Sequence, residues 1–172
     1  MKDCLEDSKK TLTLVATRLT TNEWFGNDWR HSVHYFPAPP AVPESVTLHV
    51  YKQNWFNENR QGIHFETQLG PRQFAQKTVS IMLHVLHTDT IPGTTLKRIK
   101  LTKPLVDEFY ASVAKWDGYS FRAGKYGAQS FSAKLAFTPD TIVDQLYEEY
   151  VRLCIEIGPR IDKALATVLP QP

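Results

Sequence analysis

Short apolar runs that alternate with polar residues fill the middle of the chain. The run 45–51 is SVTLHVY, and the longest run, 77–87, is KTVSIMLHVLH. A period of two residues is typical of a β-strand that buries one face. Two further runs, HSVHYF at 31–36 and GIHFETQ at 62–68, are read as strands as well. Because these runs follow one another through short loops, they predict an antiparallel sheet.

The remaining segments show helical spacing or weaker alternation. Apolar residues recur every three or four positions in 5–20, 104–116 and 139–168, and Gly158-Pro159 is expected to break the last of these helices. We predict two more strands, at 96–102 (LKRIKLT) and at 130–137 (SFSAKLAF). The predicted fold class is α+β, with a mainly antiparallel sheet of about five or six strands and helices packed on one face.

Length and composition limit the class of protein. A chain of 172 residues is expected to form a single domain over 1–172, and the proline-rich stretch 37–44 is interpreted as a stiff connection within it. The charged fraction of 22% and the net charge of +2 are ordinary and do not by themselves indicate nucleic-acid binding. No apolar stretch approaches the roughly 20 residues of a membrane span. With no signal sequence and no cysteine motif, we predict a cytoplasmic protein without membrane contact.

One histidine occurs in each of the four central runs, namely His34, His49, His64 and His84. Alternation places the last three opposite the apolar side of their strands, and Glu66 shares the face of His64. This set (His49, His64, Glu66 and His84) would suit a divalent transition metal such as zinc, iron or manganese. Whether these four side chains can reach one ion depends on the strand register, because a slip of two residues moves a side chain about 7 Å along the strand. His87 is left out, because it lies three positions from His84 and would face the other way unless the strand ends there.

Two loop types suggest other binding sites. WFGNDWRH (24–31) and NWFNENRQ (54–61) combine aromatic rings with amide and guanidinium donors, and Trp55 is a candidate for stacking on a ligand. The loop 118–127 places Arg122 and Lys125 among glycines, where they could contact an anion, although the spacing does not match a phosphate-binding loop.

Three functional hypotheses follow. The first is a non-catalytic binding domain that needs no cofactor and uses an uncovered sheet face and the aromatic loops to bind a small molecule, another protein or a second copy of the chain. Its candidate ligand-binding residues are Tyr51, Trp55, His49, His64, Glu66, His84, Arg122 and Lys125. The second is a metal-dependent hydrolase or nuclease built on the histidines and Glu66. The third is phosphate or nucleic-acid binding through the basic region 97–125.

Overall fold

The structure, a computed structural model, describes residues 2–36 and 44–169. The stiff connection predicted at 37–44 falls almost wholly outside these ranges. The strands are β1 (Trp29–Phe36), β2 (Ser45–Lys52), β3 (Ile63–Leu69), β4 (Thr78–Val85), β5 (Tyr119–Phe121) and β6 (Gln129–Ala136). The helices are α1 (Lys2–Thr20), α2 (Pro71–Gln76), α3 (Ile99–Val113), α4 (Ile142–Glu156) and α5 (Gly158–Val168). Among the described residues, no helix has both the length and the apolar character to cross a membrane.

The strands form one antiparallel sheet in the order β1-β2-β3-β4-β6-β5. The first four strands pair in chain order, as expected for strands joined by short connections. The α+β class, with a mainly antiparallel sheet and helices, is therefore confirmed. The edges are β1 and the three-residue β5, so β2, β3 and β4 lie in the interior of the sheet.

The helices pack against the apolar face of the sheet. Leu48, Phe65 and Leu83, from three neighbouring strands, are fully buried on that face. Tyr150 of α4 reaches the same face, and its hydroxyl donates a 2.9 Å hydrogen bond to Thr67 Oγ1. With this face closed, the alternate residues of the same strands point to the opposite side.

The strand predicted at 96–102 is wrong. Helix α3 begins at Ile99, and Leu101, Leu105 and Phe109 are buried along one side of it. These residues are four apart, so the apolar positions of the segment belong to a helical stripe rather than to a strand. Pro104 then lies inside the helix rather than at its first position. The short β5 and α2 were not predicted, since each has too few residues to show a period.

Trp55 does not form a ligand-stacking platform on a surface loop. Its side chain is fully buried, and its ring meets Trp29 edge-on at 5.2 Å and Phe65 at 5.9 Å. The indole Nε1–H donates a 2.8 Å hydrogen bond to Asp162 of α5, and Lys52 pairs with the same carboxylate. The ligand-binding prediction for Trp55 is therefore corrected, because the ring closes the core on the helical side.

Replacing Trp55 with phenylalanine tests this placement. The change removes the donor to Asp162 and leaves a cavity, so we expect the free energy of unfolding to fall by about 2–4 kcal/mol. Metal content should not change, because Trp55 lies on the face opposite the histidines. Chemical denaturation, together with metal analysis of the variant, measures both quantities. A variant that keeps wild-type stability would contradict the core assignment.

Candidate metal centre

Strand register brings the predicted metal ligands together. On β2 and β3, His49 lies opposite Glu66, and on β3 and β4, His64 lies opposite His84. Directly opposed residues in an antiparallel pair have Cβ atoms about 4.5–5.5 Å apart. The four side chains therefore meet on the sheet face opposite α1, α3, α4 and α5, a face that, among the described helices, only the short α2 borders.

One oxygen of Glu66 is the centre of this cluster. Glu66 Oε2 lies 3.0 Å from His49 Nε2, 3.3 Å from His64 Nε2 and 3.6 Å from His84 Nδ1. The other oxygen, Oε1, accepts a 2.9 Å hydrogen bond from the Gln68 amide. Three imidazole nitrogens thus surround a single carboxylate oxygen whose partner oxygen is already oriented.

The imidazole rings form a continuous row across the sheet. The ring centroids of His34 and His49 are 4.8 Å apart, those of His49 and His64 are 3.9 Å apart and stacked, and those of His64 and His84 are 5.0 Å apart. His34 extends the row at the edge strand β1 but contributes no atom to the groups able to hold a metal ion.

The centre of the sheet face that carries the cluster is buried, whereas Met82 and His84 on the same face are half-buried, so the predicted uncovered surface is found only in part. His49 is 3% exposed, His64 0% and Glu66 6%. A charged carboxylate at such a depth is costly unless it is paired or coordinates a cation. These three positions are therefore unsuited to a broad protein interface, and Glu66 depends on its partners within the cluster.

His87 joins the cluster, which corrects its exclusion at the sequence level. Strand β4 ends at Val85, and Leu86 adopts a left-handed conformation with φ of 60°. This turn brings His87 back to the side of His84, so that His84 Nδ1 and His87 Nε2 are 3.0 Å apart. Side chains three positions apart can lie on the same side here because the strand, and with it the regular alternation, ends at Val85.

Asn57, a residue that the sequence did not single out, sets the proton position on His64. Its Oδ1 accepts the backbone N–H of Gly62 at 3.1 Å, which fixes the orientation of the amide. The same Oδ1 lies 2.9 Å from His64 Nδ1, so His64 carries its proton there and donates it to Asn57. In the neutral ring, Nε2 then carries no proton, and its lone pair is directed at Glu66 Oε2. Asn57 lies in the loop after β2, where no periodic pattern marks it.

The protonation states of the cluster favour a cation. Burial lowers the pKa of His64 to about 3 and that of His84 to about 4, so both rings are neutral at pH 7. Burial acts to raise the pKa of Glu66, but the surrounding imidazoles, with the hydrogen bond to His49 first, outweigh it and hold that pKa well below the usual range. The site thus presents the neutral imidazoles of His64 and His84 beside a charged carboxylate, which are the forms in which these side chains bind metal.

The distances from Glu66 Oε2 to the three imidazole nitrogens agree with those between ligands that share an ion. Two ligands bound at about 2.0–2.1 Å in a tetrahedral arrangement lie roughly 3.3 Å apart. The separations of 3.0, 3.3 and 3.6 Å bracket this value. Two overlapping groups have all their ligand atoms within 4.8 Å of one another: His49, His64 and Glu66 form one, and His64, His84 and His87 form the other.

The remaining predicted binding residues lie elsewhere. Tyr51, two positions from His49, is half-buried and packs against the apolar core. Lys125 lies over the Tyr110 ring at 3.8 Å. Arg122 is the exception, because it lines a cavity that also contains His84 and His87.

Part of the basic region 97–125 is occupied by internal contacts. Arg98 donates hydrogen bonds to the carbonyls of Leu86 and Thr88, and Lys103 pairs with Asp107. Side chains held in this way present less free positive charge than the sequence alone suggests.

Stability of the metal-free protein is expected to fall in mild acid. His64 has a folded-state pKa of about 3 against 6.5 unfolded, so below pH 6.5 the unfolded chain binds more protons. His64 alone then accounts for a loss of about 2 kcal/mol between pH 6.5 and pH 5, or roughly 4–8 °C in Tm for a chain of this size. Thermal melts in the presence of EDTA at pH 7.5, 6 and 5 measure this loss. A Tm that stays constant down to pH 5 would contradict the buried, neutral state of His64.

Comparisons of the chain with protein-family models, with curated proteins and with solved structures find no match. The function is therefore argued from the cluster itself.

Proposed function

We propose that this protein is a metal-dependent hydrolase whose divalent transition metal is bound by His49, His64 and Glu66, with His84 of the overlapping group as a fourth ligand. The observation that carries the proposal is the convergence of three imidazole nitrogens on one buried carboxylate oxygen. Without a cation, the His64 lone pair that Asn57 imposes faces a negative oxygen at 3.3 Å. An ion between these atoms would replace that repulsion with two coordinate bonds.

The composition and position of the cluster favour a catalytic site over a structural one. Structural zinc sites are closed and usually rich in cysteine, whereas catalytic sites use histidine and carboxylate ligands and leave one position open. Both cysteines, Cys4 and Cys154, lie outside the cluster. His84 and His87 border a cavity of about 580 Å³, which would give a substrate access to the ion.

Water activation is the chemistry that suits these residues. A bound zinc ion lowers the pKa of a coordinated water to about 7, which supplies a nucleophile at neutral pH. We assign proton transfer to His87, which is exposed, lies at the cavity, and has its Nε2 only 3.0 Å from the ligand atom of His84. Its role would be to accept the proton of the attacking water and return it to the leaving group.

Elemental analysis of protein purified without a histidine tag tests the proposal. We expect about one equivalent of zinc, iron or manganese per chain. Removal of the metal with EDTA should lower Tm by several degrees, and addition of the metal should restore it, since a ligand at 100 times its Kd stabilises the folded state by about 2.7 kcal/mol. His31→Gln is a matched control, because His31 lies on β1 and outside both candidate groups.

Two results would contradict the proposal at different levels. A wild-type chain with no metal and no response of Tm to zinc, manganese or iron would exclude the metal centre. A metal-loaded protein that hydrolyses none of a panel of chromogenic phosphate and carboxylate esters would exclude the hydrolase but leave the metal centre in place.

A further inference from the structure

The cavity beside the cluster has the size of a small-molecule site. Its volume of about 580 Å³ lies within the 300–1,000 Å³ that is usual for such sites. His84 and His87 form one wall, Arg122 and Gln129 form another, and the backbone at Ala123, Gly124 and Ala128 completes the lining. A molecule in this cavity would therefore contact the metal-binding residues on one side and a guanidinium on the other.

Arg122 is an exposed residue that lies beside the histidines. Its guanidinium donates a hydrogen bond to the Gln129 side-chain oxygen. Gln129 on β6 is the register partner of His84 on β4, so the anchor of Arg122 lies directly across from a metal ligand.

The charge of Arg122 is free for a ligand. Within residues 2–36 and 44–169, Arg122 has no carboxylate within ion-pair distance, whereas Arg98 contacts Asp89 and Arg152 contacts Glu156. The other cation of the same loop, Lys125, packs on Tyr110 and lies outside the cavity lining. A guanidinium presents a planar fork of donors that matches the two oxygens of a carboxylate or phosphate.

We propose that the substrate of this site is a small molecule that carries an oxyanion, a carboxylate or a phosphate, which Arg122 binds while the neighbouring part of the molecule reaches the metal. This inference rests on the proposed metal centre and specifies its substrate class. The volume accommodates a small molecule or the terminal group of a larger one, and the unpaired guanidinium specifies its charge.

Calorimetric titration of the metal-loaded protein with inorganic phosphate, and separately with acetate, tests the proposal. We expect binding of at least one of these anions, and we expect Arg122→Gln to weaken it by about tenfold or more, the usual effect of losing a charged hydrogen bond. Arg122→Lys should recover only part of the affinity, because an ammonium lacks the planar fork. Lys125→Gln, from the same loop, should bind like the wild type. The anion that depends more strongly on Arg122 identifies which oxyanion the site prefers.

The outcomes separate this inference from the proposed function. Metal content is measured first in every variant and is expected to be unchanged by Arg122→Gln. If the wild type holds its metal but binds neither anion, or binds them equally well with Arg122→Gln, the oxyanion site is overturned and the metal centre stands. If EDTA-treated protein binds the anion as tightly as loaded protein, Arg122 serves a site separate from the metal, and the inference is also overturned.

Discussion

Replacing Glu66 with glutamine is expected to remove the metal from this protein, with a loss of affinity of more than about 100-fold. Outer-shell partners of metal ligands typically change affinity by 10- to 100-fold, and Glu66 would itself bind the ion. Glutamine keeps the shape of the side chain and can still accept a hydrogen bond from His49 Nε2, which lies 3.0 Å from the carboxylate. The fold should therefore persist while the charge that attracts the cation is lost.

Metal stoichiometry and competition with a chromophoric chelator measure the effect of Glu66→Gln. Glu58→Gln is the matched control, since Glu58 is an exposed carboxylate in the loop between β2 and β3. The control should retain wild-type affinity. If Glu66→Gln held its metal as tightly as Glu58→Gln, the carboxylate could not be a ligand, and the site would have to be reassigned to the histidines alone.

The second large effect is expected at Asn57. Asn57→Leu removes the acceptor for both His64 Nδ1–H and the Gly62 N–H, which are at 2.9 and 3.1 Å. Two buried donors would then lack a partner, at a cost of about 1–3 kcal/mol each, and His64 would no longer be held with Nε2 free. Metal affinity should fall by about 10- to 100-fold, the range found for outer-shell residues.

Asn57→Asp separates tautomer control from simple destabilisation. Aspartate keeps an acceptor at the same position, and a carboxylate behind a metal-bound histidine is a common arrangement that raises the basicity of the ring. We expect Asn57→Asp to retain metal affinity while Asn57→Leu loses it, both measured on protein that is folded by circular dichroism. Equal losses in the two variants would show that Asn57 acts through packing and not through the proton of His64.

Alternation in the sequence was sufficient to group the ligands on one face, but it could not align them. Each of His49, His64 and Glu66 lies opposite the apolar positions of its own strand, which one sequence shows directly. Whether His49 meets Glu66 or a residue two positions away depends on the loops between strands, whose conformations are not periodic. The sequence therefore predicts correctly that these residues share one face of the sheet. That their side chains come together follows only from the register of the strands.

The two-residue alternation says nothing about residues that lie outside the strands. His87 joins the cluster because Leu86 adopts a left-handed conformation, which is rare for an aliphatic residue and is not predicted by the sequence. Asn57 contributes through a single side-chain contact made by a loop. Trp55 was misplaced for a related reason, since a composition rich in Trp and Asn is shared by ligand-binding loops and by loops that close a core.

All the proposed ligands come from three strands that are consecutive in the chain and adjacent in the sheet, β2, β3 and β4, and His87 follows directly after. Contacts between neighbouring hairpins form early in folding, because short loops cost little entropy to close. We therefore expect the ion to bind a unit that can assemble before the C-terminal helices dock and to accelerate folding, whereas an ion shared between distant segments would mainly slow unfolding. Refolding and unfolding rates with and without metal measure the difference.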